Sequence, residues 1–201
     1  MKKMWNWKRC KAKIKGLKGR LGFPKGPALN FLKLSLNLED GLISDDLANN
    51  SLQLGNQTLS DVYCILSSYA DAEFIPKASE LVTSKQLQGG RYCNVAVNRA
   101  KSSIQDIFGS RSQKLVESAR LLGGSEVNFS YGDCSVSINS LPLIPLTIVL
   151  TEGDIEFDAA AQIFFDRSIS NYLPLEQIGM LSTLTAKRLK QAHQYSDKKE
   201  E

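Results

Sequence analysis

The chain has 201 residues, 42% of them hydrophobic and 23% charged, a globular composition with length enough for one ordinary domain core and an appendage. Its formal charge of +4 conceals an asymmetry: residues 1–25 hold ten Lys or Arg and no acid, so the remainder carries fifteen bases against twenty-one acids. No apolar run approaches the roughly 18 residues of a membrane-spanning helix, and a chain of this size does not depend on disulfide staples.

In the first segment, Met4, Trp7, Cys10, Ile14, Leu17 and Leu21 recur every three or four residues among lysines, which predicts a basic amphipathic helix. Gly16 and Gly19 weaken it, so it needs a surface to fold against. "GFPKGP" at 22–27 reads as a linker. "ALNFLKLSLNLEDGLIS" predicts two strands joined at "EDG". "TLSD" from Thr58 predicts a capped helix running to about Ala72, with Leu59, Val62, Ile65, Leu66 and Tyr69 as its apolar face. "GGRYCN" at 89–94 reads as a glycine-rich loop, followed by a helix that stops at Gly109. A further helix opens with a capping box at Ser110 and Gln113 and closes on Gly123 and Gly124. "EVNFSYGDCSVSIN", "IPLTIVLT" and "AAQIFFD" predict strands. A last helix begins near Pro174, carries Leu175, Ile178, Leu181 and Leu184, and ends in a basic turn at Lys187, Arg188 and Lys190.

Strands and helices come in blocks, so the expected class is α+β, a largely antiparallel sheet with helices packed on one side, plus the N-terminal basic amphipathic helix. The expected divisions are an arm and linker at 1–27, a single α+β domain at 28–193, and a charged tail at 194–201. The basic start lacks the apolar stretch of a secretory signal, which predicts a cytoplasmic protein, possible attachment to a membrane surface included. An organelle transit peptide is the alternative, weakened by the absence of Ser before residue 35.

Candidate chemistry is sparse. Cys10, Cys64, Cys93 and Cys134 match no zinc, iron–sulfur or redox spacing and are expected to be reduced, mostly buried thiols. The single histidine, His193, falls at the expected frayed end of the last helix, which removes the templates that need imidazole in a formed pocket. Gly89-Gly90 and Gly123-Gly124 lack the spacing of phosphate-cradling loops and suit turns.

The sharpest feature is "LTEGDIEFDAA". Glu152, Asp154, Glu156 and Asp158 occupy every second position, and in an extended segment all four would face one way, with Ile155 and Phe157 facing the other. The preferred reading is solvated acids beside a Gly153 turn, with Arg91 or Arg167 as counter-charge. The alternative is a Mg²⁺ or Ca²⁺ site joined by Asp166. For residues 1–25, docking on the chain's own acidic body or on a protein partner competes with lying on an anionic membrane. Met4, Trp5, Trp7, Ile14, Leu17 and Leu21 would form the interface, and Trp5 and Trp7 suit a surface with one apolar side. Nucleic acid ranks below both, because no recognition motif recurs in the body.

Taken as a unit, the last third resembles the domain of unknown function 3786 family, an uncharacterised prokaryotic group. The likeness rests on Glu152, Gly153, Asp154, Glu156, Phe157, Phe165, Asp166, Ser168, Tyr172, Leu173, Pro174 and Glu176, with looser landmarks at Gly89-Gly90-Arg91, Gly123-Gly124 and Gly132-Asp133. The resemblance implies no established activity. It does imply an anaerobic prokaryotic setting, where relatives are found, some of them fused to a cysteine-rich iron–sulfur module like that of corrinoid proteins; this chain has the basic arm in place of that cysteine cluster. The resulting expectation is a non-enzymatic accessory or binding protein without a cofactor, linked to corrinoid or iron–sulfur one-carbon metabolism by analogy alone. The alternative is a divalent-metal-dependent enzyme using the 152–166 carboxylates.

Overall fold

Two antiparallel sheets and a layer of helices account for the chain, whose computed structural model describes residues 4–47 and 54–200. In chain order the described elements are α1 (Trp7–Lys15), β1 (Ala28–Phe31), β2 (Leu34–Asn37), β3 (Ile43–Asp45), α2 (Asn56–Tyr69), β4 (Leu81–Val82), α3 (Arg91–Phe108), α4 (Ser112–Leu121), β5 (Ser125–Glu126), β6 (Cys134–Leu141), β7 (Ile144–Thr151), β8 (Ala160–Asp166), α5 (Ile169–Tyr172) and α6 (Leu175–Glu200). The class is α+β, as the block pattern predicts, with the strands divided between a β1-β2-β3 sheet and a β4-β8-β7-β6-β5 sheet.

The larger sheet is organised by β7. Leu146, Ile148 and Leu150 alternate onto the face covered by α3, α4 and α6, and all three are fully buried. Val136 and Ile138 of β6 and Ile163 and Phe165 of β8 extend that face. On the opposite face Phe129, Tyr131 and Phe164 stack with ring centroids 4.9–6.5 Å apart. α6 is the central helix, packed on α2, α3 and α4. It continues well past residue 193, so the expected tail is helical, and His193 is buried with its ring 5.4 Å from that of Phe108 rather than frayed.

The small sheet differs from expectation in strand count. "EDG" does turn the chain, between β2 and β3, but an additional two-residue turn at Leu32 and Lys33 separates β1 from β2. Both residues have positive φ, 48° and 56°, the requirement of a mirror-image hairpin turn that normally selects Gly or Asn. The compensation comes from α6. Arg188, with no exposed surface, donates through Nε to the Leu32 carbonyl at 3.0 Å and through a terminal nitrogen to that of Lys33 at 3.2 Å. Its two terminal nitrogens also grip both oxygens of buried Asp45 at 2.7 Å. A planar guanidinium suits this fork geometry.

Candidate functional site

The four alternating acids do not form a strip. Thr151 and Ala160 are the last paired residues of β7 and β8, and the eight residues between them turn instead of extending. Glu152 points inward, its carboxylate accepting the Ser112 amide at 2.6 Å. It caps the positive end of α4 from a distant part of the chain, in place of the expected Ser110–Gln113 box. The Glu152 amide donates to Asp133 at 2.7 Å, and the Gly153 amide to the Gly109 carbonyl at 2.8 Å. Asp154 then folds the loop on itself. Its Oδ1 accepts the amides of Glu156 and Phe157, both at 2.8 Å, while its own amide donates to the Phe157 carbonyl at 2.9 Å. The Ser112 amide holds the Glu152 carboxyl below its ordinary pKa, and the Glu156 and Phe157 amides do the same for Asp154.

This internally bonded loop projects its apolar residues outward. Ile155 is 105% exposed and Phe157 71%, on the same solvent side as the acids rather than opposite them. Asp154, Glu156 and Asp158 are exposed around them.

Asp166 lies at the other end of β8, about 20 Å along the strand from the loop, and does not join these acids. It is buried and accepts the amides of Ala78, Ser79 and Ser168 at 2.9–3.0 Å, tying the segment before β4 to the sheet. Burial pushes its carboxyl up, but the Ser168, Ala78 and Ser79 donors outweigh that and leave it lowered. The expected counter-charges are elsewhere as well. Arg167 forms a two-pronged pair with Glu80 at 2.5 and 2.6 Å, and Arg91 stacks 5.3 Å from the Tyr92 ring. Glu152, Asp154, Glu156, Asp158 and Asp166 therefore do not converge, and among the described residues no group of three or more His, Cys, Asp or Glu is placed to hold a metal ion.

The stripe of the basic segment is closed against its own chain. Cys10, Ile14, Leu17 and Leu21 are at most 5% exposed, and Phe23, inside the expected linker, is a core residue at 3%. α1 packs on α2, with the Trp5 amide donating to Ser60 at 2.9 Å and the Tyr69 hydroxyl to the Leu21 carbonyl at 2.9 Å. Arg20 donates to the carbonyls of Ala70 and Ala72. Of the expected interface residues only Met4 is largely exposed; Trp5 and Trp7 are half-buried, and Trp7 lies near Tyr63 and over Gly41, whose φ of +80° and lack of a Cβ admit the indole. The periodicity was real, but periodicity does not say what a stripe faces. The opposite side of the segment exposes Lys8, Lys11, Lys15 and Lys18 at helical spacing, a basic ridge.

An α+β domain in which Glu152 caps a helix, Asp154 turns a loop and Asp166 ties a segment to the sheet is the class that this geometry defines. The chain belongs to the family described as domain of unknown function (DUF3786), whose pattern matches residues 40–188. Neither a curated protein nor a solved structure matches the chain. The matched region stops short of α1, β1 and β2, although Ile14, Leu17, Leu29 and Leu36 are fully buried in the same core. Among the described residues no helix is long and apolar enough to cross a membrane.

Proposed function

We propose that this chain is a non-catalytic cytoplasmic accessory protein that binds another protein through the 152–158 loop. The observation that carries this reading is the combination of order and exposure. An isoleucine and a phenylalanine are held in solvent by a loop whose own hydrogen bonds oppose their collapse onto the domain. Burying two such side chains at an interface is worth about 1.5–3 kcal/mol each, and Asp154, Glu156 and Asp158 around them favour a partner whose apolar pocket is rimmed by Lys or Arg. Capture from native-host lysate is the test. The wild-type chain is expected to retain a partner that the Ile155→Ser, Phe157→Ser double variant loses at unchanged melting temperature; identical capture by both would refute this reading. The captured protein's identity also tests the corrinoid or iron–sulfur association that the family resemblance suggests.

A second reading rests on the ridge of Lys8, Lys11, Lys15 and Lys18, which suits an anionic membrane surface. With the apolar stripe buried, that attachment would be electrostatic and abolished by high salt. Sedimentation with phosphatidylserine vesicles, absent with phosphatidylcholine vesicles and lost on replacing the four lysines with glutamine, distinguishes it from loop-mediated binding.

A further inference from the structure

A cleft of about 130 Å³ lies between the short 3₁₀ turn at Ser84–Gln86, α3 and the stretch of β8 that β4 leaves unpaired, remote in role from both surfaces above. Its polar wall is one-sided. Lys85 and Lys101 both line it, and among the described residues no carboxylate does. Lys101 is oriented by Gln162, whose Oε1 accepts from Nζ at 3.2 Å, leaving two of the three ammonium hydrogens to donate elsewhere. Ser84, itself buried, donates to Asn94 Oδ1 at 2.9 Å, which occupies the amide's acceptor and leaves its Nδ2 as a donor. Val97 and Ile163 supply an apolar floor that limits water. Partial burial, and secondarily the nearby charge of Lys85, lower the Lys101 pKa, so the two ammonium groups oppose each other in a site without internal neutralisation.

We infer that this cleft binds a phosphate or phosphomonoester group. Two cations match a dianion, the Asn94 side-chain nitrogen adds a donor, and a phosphoryl group offers three strong acceptor oxygens. Partner binding through the 152–158 loop neither requires nor excludes it.

Titration calorimetry with inorganic phosphate on the full-length chain tests the assignment, with amide chemical-shift mapping in parallel. One site is expected, with shifts concentrated at Ser84, Asn94 and Gln162, and Lys101→Met is expected to weaken binding by about tenfold or more. The control Lys11→Met, on the basic ridge, should bind as wild type does. Lys101→Met removes an ammonium destabilised by burial and by Lys85, so its melting temperature should hold or rise, and loss of binding would not reflect unfolding. Phenyl phosphate binding comparably to phosphate would identify the end of a phosphorylated ligand, whereas its exclusion would identify free phosphate. No heat with phosphate, or equal binding by wild type and Lys101→Met, would overturn the proposal.

Discussion

Asp154 does by itself much of what orders the exposed loop, and its charge is part of the mechanism. Its folded pKa is depressed because two amides donate to the carboxylate; Glu152 is depressed by its bond to the α4 terminus. A depressed carboxyl adds stability that is present above the ordinary value of about 4 and lost as pH falls through the lower folded value. The Glu156 and Phe157 amides are therefore expected to be protected from hydrogen exchange near neutrality and to lose protection on acidification below about pH 4. Asp154→Ala should remove that protection at all pH values, with little change in global melting. The acids do not line up as their spacing suggests, because the loop turns Glu152 to the Ser112 amide and Asp154 to its own backbone.

The buried pair has the opposite character. Asp45→Ala leaves the Arg188 guanidinium without its carboxylate in a site from which water is excluded, and is expected to cost about 3–5 kcal/mol in urea unfolding. Replacing both residues with apolar ones should recover part of that loss. The sequence held half of this feature. Arg188 continues the Leu181–Leu184 spacing and so sits on the buried side of its helix, although its place in the last basic turn suggested a solvated partner for the helix dipole. The other half was illegible, because Asp45 is 143 residues away and no local period reports a contact at that range.

At the scale of elements, α1 is the clearest case of a pattern read well and placed wrongly. The three-to-four spacing locates the helix and picks out Cys10, Ile14 and Leu17 as its inner side. Gly22, Pro24, Gly26 and Pro27 then suggest a hinge, but glycine and proline mark a change of direction and not a loss of contact. Phe23 is wedged between them into the core, edge-on to Tyr69 with centroids 6.2 Å apart. Deleting residues 1–25 is thus expected to abolish cooperative thermal unfolding, and Ile14→Ala alone to cost about 2–5 kcal/mol. A truncated chain that melts like the full chain would mean that α2 can close its own apolar face. The long strands of the large sheet, β6, β7 and β8, were readable by contrast: each pairs with a neighbour close in sequence and alternates onto a single core, so local pattern and final position agree. The two-residue β4 was not, because its partner β8 lies far along the chain. The β1–β2 turn escaped notice because Leu32 and Lys33 carry none of the residues that such a turn prefers.

For the molecule as a whole, that turn has a consequence in time. Two L-residues in the left-handed region cost roughly 1–2 kcal/mol each, and strands of four residues joined by such a turn do not hold together unaided. The donors that steady its carbonyls sit on Arg188, 155 and 156 residues further along the chain. A ribosome that has released β1 and β2 has therefore released a hairpin with nothing to keep it closed. Closure of the small sheet waits until α6 has been made and has found its place, and contacts of such sequence separation are slow to form. The strands synthesised first are the last to be locked, and until then Leu29, Leu34 and Leu36 remain available to whatever else in the cell binds exposed leucines.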